Sequence, residues 1–263
     1  MKKIALVTGA SSGMGREFVR EIDSLGLDEI WGIAMNKDKL EKVKSETKTP
    51  FKVFAFDLTK DESIKALQEK LEKEKPEIRY LVNASGFGKF GRYDEIEISQ
   101  SANMIDLNCK ALVEVTEHAL PYMSEGARIL QIASVAGFQP TPYINVYAAT
   151  KAFVVSYSRA LNVELKSRKI SVTCVCPFWT KTPFFDRATA IKTDRDVITK
   201  FVAMYKPEDV VHKAMKDARK RKELSICGFI ARSQVRLVSM LPKKLVMKVW
   251  CGQQKFDKKY KNK

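Results

Sequence analysis

Seven apolar runs alternate with segments of helical periodicity, and this alternation constrains the fold more than any other feature of the chain. The runs are KIALVTG, EIWGIAM, KVFAFDL, IRYLVNAS, ARILQIAS, SVTCVCP and, more weakly, ELSICGF. Helical spacing marks 15–25, 37–44, 61–73, 99–123 and 147–167 between them. Continuous β-branched runs separated by helices predict parallel strands buried on both faces. The expected α/β fold is a Rossmann-type doubly wound parallel sheet of about seven strands, with helices on both faces. Right-handed crossovers then bring the strand C-termini to one edge, where ligands bind.

The regular order loosens after Pro183. Residues 1–227 read as one domain with a lid at about 183–206, and 228–263 as a basic amphipathic extension packed on it or continuing it. No stretch approaches the roughly 20 apolar residues of a membrane span. The apolar run of the basic start MKKIALVTGASSG ends at Val7, short for a secretory leader, so it reads as a first strand and a cytoplasmic location is expected. Five cysteines without a C-x-x-C pair argue against a disulfide framework or zinc site. Cys174 and Cys176 read as buried strand thiols, and His118 and His212 as ordinary helix residues; no metal is expected.

The turn TGASSGMG (residues 8–15) follows the first run and opens the first helix. Its three glycines permit positive φ, close approach of backbone to phosphate, and tight helix–strand packing. A pyrophosphate would sit on the helix N-terminus. Further along, VYAATKAF sets Tyr147 and Lys151 four residues apart, on one face of a helix. Alone, that pair also fits a buried aromatic beside a snorkelling lysine.

Taken together these pieces resemble the short-chain dehydrogenase/reductase family, whose turn reads Thr-Gly-x-x-x-Gly-x-Gly. FDL carries Asp57 and Leu58 where the family contacts adenine, and NASG (residues 83–86) is similar to its Asn-Asn-Ala-Gly, with Ala84 replacing the second Asn. Asn108 matches the family's helix-four Asn, and Ser134 lies thirteen residues before Tyr147, the family spacing. CPFWTKT resembles the Pro-Gly segment after the sixth strand, with Phe178 in the glycine place and Thr182 where a Thr holds the nicotinamide amide. The match runs over about residues 4–185.

The resemblance implies catalytic roles for Asn108, Ser134, Tyr147 and Lys151. It implies cofactor contacts from Gly9, Ser11, Ser12, Gly13, Met14, Gly15, Asn36, Lys37, Asp57, Leu58, Asn83, Ala84, Gly86, Tyr147, Lys151, Pro177, Thr180 and Thr182. An acid ending the second strand would bind NAD ribose and repel a 2′-phosphate; here Ala34, Met35, Asn36 and Lys37 stand there. NADP(H) is therefore expected over NAD(H), held by Asn36 and Lys37. Tyr147 would be general acid in reduction and base in oxidation, its pKa lowered from about 10 by Lys151 and by oxidised nicotinamide. Ser134 would stabilise the substrate oxygen, Lys151 would hold the nicotinamide ribose, and Asn108 would position a water linking the lysine to solvent.

Phe87, Phe90, Tyr143, Phe178, Trp179 and Phe184, with Ser134 and Tyr147, are the candidate substrate-facing residues. This aromatic rim suits a hydrophobic ketone, aldehyde or secondary alcohol, hydroxysteroid and acyl-type substrates included. A non-catalytic NADP-binding regulator on the same fold is the alternative. The family implies a homodimer or homotetramer.

The net charge is +16, and residues 228–263 hold ten Lys/Arg against one acid. RLVSMLPKKLVMKVW (residues 236–250) repeats apolar residues at steps of four with lysines between, interrupted by Pro242. It would cover the pocket, form a subunit interface, or touch an anionic membrane surface reversibly. Nucleic acid is not an expected partner.

Overall fold

The computed structural model describes residues 1–189, 198, 200–201 and 203–256. The apolar runs become β1 (Lys3–Thr8), β2 (Glu29–Ala34), β3 (Phe51–Ala55), β4 (Glu77–Asn83), β5 (Arg128–Ile132), β6 (Ser171–Val175) and the short β7 (Leu224–Ser225). They form one sheet in the order β3-β2-β1-β4-β5-β6-β7, with every pairing parallel. The expected fold class is thereby found.

Strand alternation sends successive side chains to opposite faces, and helices cover both. On one face Ile4 and Leu6 pack with Leu67 and Leu71 of α3 (Asp61–Glu74), Val115 and Ala119 of α5 (Ala111–Ala119), and Leu161 of α6 (Asn145–Glu164). On the other, Ala5 and Val7 meet Phe18 and Ile22 of α1 (Gly13–Asp23), Leu40 of α2 (Lys37–Glu46), and Val211 and Met215 of α8 (Pro207–Arg219). Cys174 and Cys176 are buried in and just after β6.

The single helix expected over 99–123 is divided. It comprises α4 (Ile98–Ile105), a π-turn at Asp106–Lys110, α5, and a 3-10 turn at Leu120–Tyr122 that holds Pro121. The π-turn carries Asn108, fully buried. Chain order reverses where β1 lies between β2 and β4. That switch point opens a crevice at the strand C-termini.

Of the segment read as a lid, α7 (Phe184–Thr189) starts it and Tyr205 bridges in parallel to Thr180; residues 190–197, 199 and 202 lie outside the described residues. Two helices follow, α9 (Phe229–Met240) and α10 (Lys243–Gln254), with Pro242 capping the second. Residues 257–263 of the basic tail also lie outside the described residues.

Candidate active site

A cavity of about 680 Å³ runs along the strand C-termini. At one end is the glycine turn. Thr8 Oγ1 accepts from the amides of Ala84 and Ser85, 3.1 and 3.0 Å away, and ties the ends of β1 and β4 together. Gly9 has φ +67°, and a Cβ there would sit 2.8 Å from the Ala84 backbone; one on Gly15 would lie 2.1 Å from the Gly9 carbonyl oxygen. Only glycine fits such approaches. Helix α1 has no side-chain cap and no acid in its first turn, and Ser11, Ser12, Gly13, Met14 and Gly15 line the cavity. Backbone N–H groups and a dipole left open to an anion fit a dinucleotide pyrophosphate.

Met35, Asn36 and Lys39 line the next stretch of wall, as do Asp57, Leu58, Ala84 and Gly86. Lys37 does not, contrary to expectation. Asn36 caps α2, its Oδ1 accepting from the Lys39 amide at 2.8 Å. Helix geometry turns position 37 about 200° away from position 39. Lys39, missed in the sequence, is thus the lysine of α2 that lines the cavity. Asp57 Oδ1 accepts from Thr59 N–H and Oγ1–H at 3.0 and 2.8 Å, which fixes the acid on its turn.

Asn83 departs from expectation as well. Its side chain is buried beneath the strand ends, donating to Thr116 Oγ1 at 2.9 Å and Gln131 Oε1 at 3.0 Å. It stitches β4 to β5 and α5 rather than lining the cavity.

Ser134, Tyr147 and Lys151 meet in the middle of the cavity wall. Ser134 ends the β5 segment and caps a 3-10 turn, its Oγ accepting from the Ala136 amide at 3.1 Å. Tyr147 and Lys151 share a face of α6, with the lysine Nζ 5.7 Å from the phenol ring centroid. Lys151 Nζ donates to the Ile132 carbonyl at 2.7 Å. Burial pushes the Tyr147 phenol up to about 12, while its hydrogen bond with Ser134 pulls the other way. Burial brings Lys151 down to about 8. The expected lowering of the tyrosine by the lysine is not found in the protein alone, where desolvation sets the direction of the shift.

Asn108 lies behind the wall. Its Oδ1 accepts from Phe87 N at 3.1 Å, and its amide donates to Phe87 O at 2.9 Å and to Thr150 Oγ1 at 3.0 Å. These bonds lock the β4–α4 loop to α6.

Pro177, Phe178, Trp179, Thr180 and Thr182 line the far side. Phe178 does not take the positive φ of the glycine it replaces, so the segment accommodates it without left-handed strain. Thr182 faces the glycine turn: a Cβ on Gly13 would meet its Cβ at 3.4 Å. Phe90 is the hub of the aromatic rim, with ring centroids 6.4, 6.4, 6.1 and 6.3 Å from Tyr147, Trp179, Phe184 and Phe185. Phe87 and Phe184 join the lining, but Tyr143 does not. Tyr143 holds φ +67° and packs its ring tilted against Phe256, centroids 3.9 Å apart. Trp250 of α10 takes a place in the wall instead, donating through Nε1 to the Pro142 carbonyl at 3.0 Å. Lys89 and Arg187, which carried no motif signal, also line the cavity.

A family model described as short chain dehydrogenase matches residues 3–192. Over 186 residues the chain is 33% identical to the very-long-chain 3-oxoacyl-CoA reductase of Rattus norvegicus, covering 68% of this chain and 59% of the rat protein. Among solved structures, it is similar to a short-chain dehydrogenase from Sphingobium yanoikuyae in complex with NADPH. The TM-score is 0.75 at 25% identity, over 92% of this chain and 97% of that one. It is also similar to the 3-ketoacyl-(acyl-carrier-protein) reductase from Brucella melitensis complexed with NADH, with a TM-score of 0.72 at 25% identity, over 85% of this chain and 95% of that one. The reversed strand order, the glycine turn at its switch point and this match over most of the chain have one common reading: the protein belongs to the short-chain dehydrogenase/reductase family.

Proposed function

We propose that the protein is an NADP(H)-preferring oxidoreductase that reduces a hydrophobic ketone or aldehyde, or oxidises the matching secondary alcohol. The observation that carries this reading is the meeting of Ser134, Tyr147 and Lys151 in one cavity with the open N-terminus of α1. A nicotinamide bound there would supply or accept the hydride at the substrate carbon. Tyr147 gives its phenolic proton to the oxygen as the carbonyl becomes an alkoxide, and takes it back in oxidation. A phenol held at about 12 is protonated near neutrality, the form reduction requires. Ser134 donates a hydrogen bond to the same oxygen and stabilises its developing charge. Lys151 would hold the nicotinamide ribose through its ammonium, and Asn108 positions the loop and helix that carry these groups.

The cofactor preference rests on residues 34–39. With no acid from Ala34 to Lys37 and Lys39 in the wall, a 2′-phosphate meets a cation rather than a carboxylate. The similar structures hold NADPH in one case and NADH in the other, so the preference is argued from this chain. The aromatic rim around Phe90 supports an apolar substrate. The 3-oxoacyl-CoA reductase named among the relatives supports an acyl-type ketone within that class. Self-association is supported by Ile98, Ile105, Phe153 and Val163, large apolar side chains exposed on α4 and α6. The regulator alternative is not favoured, since Tyr147 and Lys151 are both in place.

The test is oxidation of NADPH and NADH against a panel of acyl, steroid and aromatic carbonyls. Turnover preferring NADPH supports the proposal; cofactor binding without turnover of any carbonyl counts against it.

A further inference from the structure

We propose that α9 and α10 form a docking face for anionic membrane surfaces. Helix α9 buries Ala231, Val235 and Val238, yet its opposite face exposes Phe229, Ile230, Leu237 and Met240. The exposure is large: 76% for Phe229, 57% for Leu237 and 84% for Met240. On α10, Val246, Trp250 and Gln254 point inward, while Leu245 and Val249 are exposed beside Lys244 and Lys248. Apolar side chains at these spacings on the outer face of a helix are not explained by the fold, whose core they do not touch.

Charge identifies the occupant. Residues 228–256 contain Arg232, Arg236, Lys243, Lys244, Lys248 and Lys255, and no acid. Lys243 is committed to the Val238 carbonyl at 2.8 Å; Lys244 and Lys248 stand exposed at the apolar edge. A second copy of this face would bring like charges together, and nucleic acid would leave the apolar stripe without a partner. An anionic bilayer satisfies both, with the stripe at the acyl boundary and the lysine heads among the phosphates. No helix among the described residues is long and apolar enough to cross a membrane, so the contact is one of helices lying in the interface. The inner face of α10 carries Trp250 into the cavity wall, which sets the docked surface directly behind the active site.

The experiment is co-sedimentation of the full chain with vesicles of neutral phosphatidylcholine, alone or mixed with phosphatidylglycerol, at low and high salt. It needs no substrate, so it stands or falls apart from the oxidoreductase reading. The chain should pellet with the mixed vesicles and be released by salt. Each lysine at such a surface contributes about fivefold in partitioning, so Lys244→Ala with Lys248→Ala should weaken binding by more than tenfold. Phe229→Ser with Met240→Ser should weaken it by about tenfold or more, with the melting temperature unchanged. Equal pelleting with neutral vesicles, no pelleting, or binding unchanged in both variants would overturn the proposal. So would a concentration-dependent dimer abolished by the Phe229 and Met240 changes in a chain that ignores vesicles.

Discussion

Lys151 aims its ammonium at the carbonyl oxygen of Ile132, 2.7 Å away at the end of β5. The contact anchors α6 to the sheet beside Ser134, and the lysine is buried there. Burial brings its pKa to about 8, whereas Tyr147 stands at about 12. Of this pair, the lysine is therefore the one expected to titrate near 8 in the free protein. The expected kcat/KM for NADPH is level below pH about 8 and falls about tenfold per unit above it. Lys151→Arg should remove that limb, because a guanidinium stays charged throughout. A limb unchanged in the arginine variant would assign it elsewhere.

The same burial makes Lys151 costly to the fold. Its folded pKa of about 8 lies below the ordinary 10.5, so the unfolded chain binds more protons between those values and stability rises with pH across that window. Lys151→Met should raise stability at neutral pH by about 2 kcal/mol, an advantage that fades as pH climbs toward the unfolded value. Urea titrations at neutral and alkaline pH read this directly. A variant less stable at both would mean the Ile132 hydrogen bond outweighs desolvation.

Lys39 is the cation at the cavity end where residues 34–37 offer no acid. Lys39→Ala should raise KM for NADPH by about tenfold, the loss of one charge-assisted contact, and leave KM for NADH nearly unchanged. Equal effects on both cofactors would mean the lysine does not read the 2′-phosphate.

Asn83 bridges Thr116 and Gln131 in the core. Asn83→Ala should cost about 1–2 kcal/mol of stability, lowering Tm by a few degrees, with NADPH affinity within about twofold of the parent. A large loss of affinity at unchanged Tm would return the residue to cofactor binding.

Much of this was legible in the sequence because it depends on period and spacing. Apolar runs gave the strands and glycines gave the turn. The i, i+4 step of Tyr147 and Lys151 survives intact on α6. What escaped depends on rotation and long-range packing. Asn83 is part of the turn motif, but the pleat of β4 directs its side chain into the core. Lys37 and Lys39 differ only by the helix phase that Asn36 sets as the cap. Periodicity does not register the π-turn that seats Asn108, because the buried positions Met104, Asn108, Ala111 and Val115 keep steps of three and four through it. Tyr143 is absent from the cavity lining because Phe256, over a hundred positions along the chain, packs against it; no local signal encodes that contact. Nor does burial of Tyr147, which reverses the expected shift of its pKa, appear in a four-residue spacing.

The central claim is that Tyr147 moves the proton. The most direct measurement compares Tyr147→Phe with the parent protein in NADPH-dependent reduction of the best carbonyl found, together with NADPH affinity by fluorescence titration. Removing a single hydroxyl should lower turnover by about 10²–10⁴-fold while affinity stays within about threefold. Turnover retained within a factor of a few would contradict the account and move the proton source to another group.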